Sequence, residues 1–148
     1  MNDHHGALRQ RWRIVSDLGQ EKRVAQAVRD LAMTLDFSLE RSEDMASAVA
    51  EACLNAMEHG NEGESAKHVT VDLLAADDLM RIRVFDEGTG FAREQVPYKR
   101  TDLMKDSPRG WGIPLICGLT DDWDVGRTSE GFYIELTFRQ TGKEGELQ

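Results

Sequence analysis

Three stretches of this chain alternate between apolar and polar residues, and this alternation constrains the fold more than any other feature. The apolar positions are Val69, Val71 and Leu73, then Met80, Ile82 and Val84, and finally Phe132, Ile134, Leu136 and Phe138. Successive side chains of a strand point to opposite faces, so each stretch presents one apolar face. Because only a short turn at 75–78 separates the first two stretches, we predict an antiparallel hairpin.

Two earlier segments show helical spacing. Between residues 20 and 36, apolar side chains recur every three or four positions, which predicts a helix. A second helix is predicted from Ser42, an N-cap followed by two acidic residues, to His59, with Gly60 ending it. A third helix has Pro114 in its first turn, and short strands are predicted at 12–16 and 123–125.

The order of these elements predicts the fold class. One strand, two helices, two strands, a loop, a helix and two strands indicate an α+β fold. We expect a two-layer α/β sandwich with one mixed, mostly antiparallel sheet and helices on one face. A chain of 148 residues is about the size of one domain, whose core should span about 10–139 between flexible ends.

The charge balance narrows the range of partners. Eighteen basic and 27 acidic residues give a net charge of −9, which argues against general binding to nucleic acids or anionic membranes. No run approaches the ~20 apolar residues of a membrane helix, and residues 1–13 lack the apolar core of a signal peptide. We therefore expect a cytoplasmic protein with Cys53 and Cys117 reduced and buried.

One segment departs from this acidic background. Residues 91–109 hold five basic and three acidic side chains, a local charge of +2, and show little periodicity. A loop this long in a compact domain is commonly functional. Its charge suits an anionic ligand, although an ordinary solvated loop fits the charge about as well.

The second predicted helix carries a polar pair at the border of its apolar stripe. Glu51 and Asn55 are four residues apart, so their side chains lie on the same side of the helix. A glutamate there could accept a proton from a nucleophile, and an asparagine carbonyl oxygen could bind a hard cation. The same pair is also common on the surface of ordinary amphipathic helices.

Two glycine-containing motifs follow along the chain. Asp86 comes directly after a predicted strand and can accept a hydrogen bond from an exocyclic amine such as that of adenine. Gly88 and Gly90, just beyond it, allow the backbone to approach a ligand closely. Gly110 and Gly112 lie at the start of the third helix, where exposed amides can bind an anion. Each motif alone is also compatible with a simple turn.

In this order and spacing, the three motifs resemble those of the GHKL ATPase superfamily of gyrases, heat-shock chaperones, histidine kinases and MutL proteins. Glu51 to Gly60 resembles its N box, Asp86 to Gly90 its first glycine box, and Gly110 to Ile113 its second. The compact length and the Glu-x-x-x-Asn-x-x-x-His form make the chain similar to bacterial anti-sigma-factor serine/threonine kinases. The resemblance covers about residues 10–139.

This resemblance implies a Bergerat-type ATP-binding fold and roles for the matching residues. Glu51 would be the general base and Asn55 the Mg²⁺ ligand, while Asp86 would accept a hydrogen bond from the adenine amino group. Residues 91–109 would form a lid over the phosphates. The implied ATP-binding residues are Asn55, Asp86, Gly88, Gly90, Lys105, Arg109, Gly110, Trp111 and Gly112. Lys105 and Arg109 are assigned from the basic charge of the lid, not from a motif.

One position departs from the family pattern. Many relatives place a small hydroxyl residue after the glycine of the last strand, where it helps a water contact adenine. Here Gly131 is followed by Phe132, which puts that water-mediated contact in doubt.

The implied activity is transfer of phosphate from ATP, with Mg²⁺, to a serine or threonine of a STAS-type antagonist, together with sequestration of a sigma factor. Since relatives dimerise, a homodimer is also implied. The principal alternative is a nucleotide-binding switch that regulates a protein partner without kinase activity. A detached histidine-kinase ATP domain fits less well, because no phosphoacceptor helix pair is present in the sequence. An unrelated fold would require three coincidences.

Overall fold

The computed structural model describes residues 8–92 and 112–140. The first half contains one strand, two helices and a closing turn of π-helix: β1 (Leu8–Val15), α1 (Gln20–Thr34), α2 (Leu39–Asn55) and the π turn (Ala56–Gly60). The second half contains four strands and one helix: β2 (His68–Ala76), β3 (Leu79–Asp86), α3 (Gly112–Leu119), β4 (Asp122–Thr128) and β5 (Gly131–Arg139).

The five strands form one sheet in the order β1-β2-β3-β5-β4, and all four pairings are antiparallel. The predicted hairpin is β2 and β3, with Val71 opposite Val84 and Leu73 opposite Ile82. The fold class is confirmed, but the sheet is antiparallel throughout the described residues rather than mixed. The β2–β3 and β4–β5 hairpins must be antiparallel, because parallel neighbours need long crossovers. The longer connections of β1–β2 and β3–β5 allow either direction, and both pairs are antiparallel.

One face of the sheet packs against the helices and forms the core. The alternating apolar residues of β2, β3 and β5 are buried in a single cluster with side chains of α1 and α2, including Val28 and Val49. The opposite face carries polar side chains, where Arg11 pairs with Asp72 and Arg83 pairs with Glu135. The period-two pattern is therefore explained by burial of one face only.

The second helix begins earlier than the sequence predicts. Its N-cap is Ser38, whose hydroxyl accepts a hydrogen bond from the Arg41 amide at 3.0 Å. The predicted N-cap, Ser42, is instead a fully buried residue in the first turns of α2. The prediction was wrong because both serines precede acidic residues, and only the tertiary burial of Arg41 and Ser42 distinguishes them.

The other boundaries differ modestly from the predictions. β1 and β4 are longer than the short strands predicted, and α1 ends at Thr34 rather than at 36. Cys53 is buried, and burial raises the pKa of its thiol to about 12. Cys117 is only half-buried rather than buried. Among the described residues, none of the helices is long and apolar enough to span a membrane.

Candidate functional site

The polar pair of α2 lies in the last turn and a half of that helix. Glu51 and Asn55 are both half-buried, whereas Ala52 and Cys53 between them are fully buried. The pair therefore borders the core, as the apolar stripe predicts. After Asn55 the backbone widens into the π turn, in which the Asn61 amide donates to the Ala56 carbonyl at 2.8 Å.

Asp86 is the last residue of β3 and is 5% exposed. Its carboxylate accepts a hydrogen bond from the Gly88 amide at 2.8 Å. Burial raises the pKa of Asp86, and the Gly88 amide and the nearby Arg127 partly offset that rise. Within residues 8–92 and 112–140, the Gly88 amide is the hydrogen-bond donor found for this carboxylate, which leaves it capacity to accept from a ligand.

Three glycines pack tightly around Asp86. A Cβ on Gly60, the last residue of the π turn, would lie 2.2 Å from the Asp86 carboxylate. A Cβ on Gly88 would lie 2.2 Å from the Gly60 carbonyl oxygen. A Cβ on Gly131, the first residue of β5, would lie 2.3 Å from the Asp86 carbonyl oxygen, and the φ of Gly131 is 128°. The end of the N box, the first glycine box and the start of β5 therefore meet at Asp86.

An aromatic pair closes the side of this cluster. Phe132 is opposite Asp86 in the β3–β5 pairing and is buried. Gly90 lies directly against the Phe132 ring, with a φ of 80°, and the Phe91 and Phe132 ring centroids are 5.1 Å apart. The position expected to hold a small hydroxyl residue is thus filled by an apolar ring.

Helix α3 is tied to the first turn of α2 by a buried ion pair. The guanidinium of Arg41 lies 2.5 Å from the carboxylate of Asp121, the second residue after α3, and 3.5 Å from the Leu119 carbonyl oxygen. The C-terminal end of α3 is therefore held at the N-terminal end of α2. Helix α3 (Gly112–Leu119) also packs against α2.

Part of the predicted site lies outside the described residues. Lys105, Arg109, Gly110 and Trp111 belong to the stretch 93–111, as does most of the predicted lid. The structure brings together the N-box end, Asp86, Gly88 and Gly90, and it places Gly112 at the start of α3.

Sequence reasoning missed several residues that shape this site. Gly60 was interpreted as a helix stop at the end of the N box and Gly131 as the glycine of the last strand, and neither was predicted to contact Asp86. Arg127, from β4, donates a hydrogen bond to the Gly88 carbonyl at 2.9 Å. Asn61 is fully buried and hydrogen-bonded to the loop after Asp86. Gly60 belongs to the N box and Gly131 precedes the position that departs from the family pattern, but no sequence signal marks Asn61 or Arg127 as part of the site.

Comparison with known proteins agrees with this geometry. A family model described as a histidine kinase-like ATPase domain matches residues 14–138. The chain belongs to this family. The resemblance to the GHKL superfamily, drawn from the three motifs, is therefore confirmed, and the relatives described next confirm the resemblance to its serine-kinase subgroup.

Curated relatives of this chain are named serine-protein kinase RsbW. The protein from Listeria monocytogenes serovar 1/2a is 36% identical over 101 residues, which cover 62% of this chain and 62% of the relative. The protein from Bacillus pumilus is 30% identical over 116 residues, covering 72% of this chain and 70% of the relative. The chain thus spans about 62% of the length of the Listeria relatives that it matches.

A solved structure shares the fold. The crystal structure of the RsbU and RsbW domains of Rv1364c from Mycobacterium tuberculosis superimposes with a TM-score of 0.63 and 19% sequence identity. The match covers 89% of this chain and 32% of that chain. This similarity supports the two-layer architecture.

Proposed function

We propose that this protein is an ATP-dependent serine/threonine protein kinase that acts as an anti-sigma factor. The observation that carries the proposal is that the end of the N box and the first glycine box meet the start of β5 at the buried Asp86, in a chain of the histidine kinase-like ATPase family. The names of the RsbW relatives support serine-kinase chemistry. The proposed substrate is a serine or threonine of a STAS-type antagonist, and the proposed sequestered partner is a sigma factor.

The nucleobase end of the proposed site is built on Asp86. Its buried carboxylate would accept a hydrogen bond from the adenine amino group, and burial would strengthen that bond relative to one made in water. Gly88 and Gly90 would keep the adjoining loop close to the base. Phe132 would supply an apolar wall in place of a water-binding hydroxyl.

The reacting end of the proposed site is built on α2. Glu51 would accept the proton of the substrate hydroxyl while the oxygen of that hydroxyl forms a bond to the γ-phosphorus of ATP. The bond from that phosphorus to the β–γ bridging oxygen breaks, and ADP leaves. Phosphoryl transfer depends mainly on positioning and charge stabilisation, so the proton transfer to Glu51 is only one part of what the protein would supply.

The residues of α2 also fit a magnesium ion. Mg²⁺ is commonly bound through one or two protein oxygens, with phosphates and water completing its shell. Asn55 offers a half-buried amide oxygen one helical turn from Glu51, which suits this requirement. When bound, the ion would neutralise charge on the phosphates, and Asn55 would hold it.

The remaining ATP contacts are proposed from sequence. Gly110 and Gly112 would present amides to the phosphates, and Lys105 or Arg109 would add positive charge at the γ-phosphate. Trp111 would lie between the two glycines, beside the phosphates.

The bound nucleotide would also determine which partner the protein binds, the sigma factor or the antagonist. This requires that ATP and ADP differ in their effect on the affinity for each partner. A homodimer is proposed from the behaviour of relatives.

A second candidate function is a nucleotide-binding switch without kinase activity. The cluster at Asp86 is compatible with this alternative too, because both functions need the nucleotide pocket and a general base can be present without being used. Glu51 distinguishes the two functions, since a switch needs the pocket but no general base.

Substitution of Glu51 tests the kinase proposal. Candidate STAS-domain proteins from the source organism would be incubated with γ-labelled ATP, Mg²⁺ and either wild type or Glu51→Gln. We expect Glu51→Gln to bind ATP normally and to transfer phosphate at least about 100-fold more slowly. Glu40→Gln, an exposed change on the same helix, is the matched control and should be fully active. Equal rates for wild type and Glu51→Gln would exclude the proposed base.

A further inference from the structure

Asn61 occupies a position that the nucleotide-binding motifs do not account for. It is fully buried, which is costly for a polar side chain unless its hydrogen bonds are satisfied. Its Nδ2 donates to the Ser16 hydroxyl at 2.8 Å and to the His68 carbonyl oxygen at 3.0 Å. Its Oδ1 accepts from the Glu87 amide at 2.8 Å. We call these four residues the Asn61 junction.

The chemistry of the junction selects an asparagine. The Glu87 amide can only donate and the His68 carbonyl can only accept, so residue 61 must supply an acceptor and a donor together. Aspartate has the same shape but loses both donors and would direct a carboxylate at a carbonyl oxygen. Alanine would remove the partners of the Glu87 amide and the His68 carbonyl, whose hydrogen bonds to Asn61 are partly buried, and this loss is costly.

The junction joins three segments that are distant in sequence. Ser16 follows β1, His68 begins β2, and Glu87 directly follows β3. A second bond supports the same loop, because the Glu87 carboxylate accepts from the His68 amide at 2.8 Å. The loop that leaves β3 is thus fixed to the start of β2 through both the backbone and the side chain of Glu87.

The loop fixed by the junction also sets the orientation of Asp86. Residue 87 is bonded to Asn61, and the next amide, that of Gly88, donates to the Asp86 carboxylate. On the other side, the backbone amide of Asn61 donates to the Ala56 carbonyl and closes the π turn, which holds Gly60 against the same carboxylate. One residue therefore acts on both sides of Asp86, through its backbone and through its side chain.

We infer that Asn61 is a positioning residue for nucleotide binding, which holds the Asp86 carboxylate in the orientation that the nucleobase requires. It contacts Asp86 only through neighbours and takes no part in phosphate transfer. The inference rests on the proposed ATP site. Its structural part, that Asn61 fixes the loop after β3, can be measured without ATP.

The binding test compares two buried substitutions. Asn61→Ala should weaken the binding of Mg·ATP, measured by calorimetry, by about 10-fold or more, because a small misplacement of a binding group greatly reduces its effect. Val28→Ala, a buried change in α1, is the control for lost stability and should bind as wild type does. At saturating ATP, the rate of phosphate transfer by Asn61→Ala should remain within about twofold of wild type, so the effect appears in KM.

A double-mutant cycle tests whether Asn61 acts through Asp86. If it does, Asn61→Ala should add less than about twofold to the binding defect of Asp86→Asn. Full additivity of the two defects would overturn the inference, as would binding by Asn61→Ala equal to that by Val28→Ala.

Hydrogen exchange separates this inference from the proposed function. In wild type the Glu87 amide should be protected, and in Asn61→Ala it should exchange at least about 10-fold faster, while the Val71 amide changes little. An unprotected Glu87 amide in wild type would overturn the inference even if Asn61→Ala does not fold. If wild type fails to bind Mg·ATP, the proposed function falls, and the exchange result alone decides whether Asn61 controls the loop.

Discussion

At the scale of single residues, Asp86 combines a cost in stability with a capacity for binding. It is buried between the last residue of the π turn and the first residues of β5, and burial raises the pKa of its carboxyl. Burial disfavours the charged form of this carboxyl, and ionisation in the folded state therefore costs stability. Binding sites commonly retain such groups, because the same group that costs stability recognises the ligand.

The raised pKa of Asp86 predicts a pH-dependent difference in stability. A folded state that binds a proton more tightly than the unfolded state loses stability as pH rises through the window between the two pKa values. Asp86→Asn removes the charge and should therefore be more stable than wild type at neutral pH. The advantage should shrink as pH falls through the raised pKa of Asp86. Urea unfolding of both proteins from pH 4 to pH 8 measures the difference in their unfolding free energies. A wild type more stable than the variant at neutral pH would contradict this prediction.

Gly88 predicts a steric effect at the same place. A methyl group there would lie 2.2 Å from the Gly60 carbonyl oxygen, a backbone atom that cannot move aside cheaply. Gly88→Ala should lose about 1–3 kcal/mol of unfolding free energy and should bind Mg·ATP weakly or not at all. Gly118→Ala, in α3 with nothing within 4 Å of the added carbon, should instead gain up to about 1 kcal/mol. Equal stabilities of the two variants would show that Gly88 is not crowded.

At the scale of elements, the position of α3 depends on one buried ion pair. Arg41 and Asp121 have side chains that are each 8% exposed, and Asp121 also accepts from the Arg139 amide at 2.7 Å. The guanidinium of Arg41 further lies 5.5 Å from the centre of the Phe138 ring. These contacts fix the end of α3 on both layers of the sandwich.

Removal of one member of this pair should be strongly destabilising. Arg41→Met leaves the Asp121 carboxylate buried without its cation, which costs about 3–5 kcal/mol in comparable cases. Arg29→Met removes a more exposed arginine whose ion pairs with Asp30 and Glu43 are 3.4 and 3.6 Å long, and it should cost at most about 1 kcal/mol. Chemical denaturation of both variants gives the comparison, and a cost below 1 kcal/mol for Arg41→Met would contradict the assigned role.

The elements themselves were largely predictable from local patterns. The alternation in β2, β3 and β5 gives strand type, hairpin pairing and buried face, because these depend on neighbouring residues. The start of α2 was not predictable, since the choice between Ser38 and Ser42 depends on Arg41 reaching Asp121, 80 residues away. The ion pair also explains why a charged side chain is buried in the first turn of α2.

At the scale of the whole molecule, the candidate site lies at the seam between the two layers. The helical layer contributes Glu51, Asn55 and Gly60, and the sheet contributes Asp86 and Gly131. Asp86, Gly88 and Gly90 could be proposed from sequence because their motif is short and local. Asn61 and Arg127 could not, because their importance arises only when β1, β2 and β4 come together around the loop after β3.

Charge is also distributed unevenly over the molecule. The net charge is −9, yet residues 91–109 carry a local charge of +2. Residues 93–109 lie outside the described part of the chain, so the predicted lid remains a prediction. A basic segment between Asp86 and α3 is consistent with a site for nucleotide phosphates in an otherwise acidic protein.

The central claim is that Asp86 recognises a nucleotide bound with Mg²⁺, and calorimetric titration tests it most directly. Mg·ATP and Mg·ADP would be titrated into wild type and Asp86→Asn at neutral pH, where the variant should be fully folded. We predict micromolar-range binding to wild type and binding at least about 10-fold weaker for Asp86→Asn, from the loss of a buried hydrogen-bonding carboxylate. Equal affinity of the two proteins, or no binding to wild type, would contradict the account.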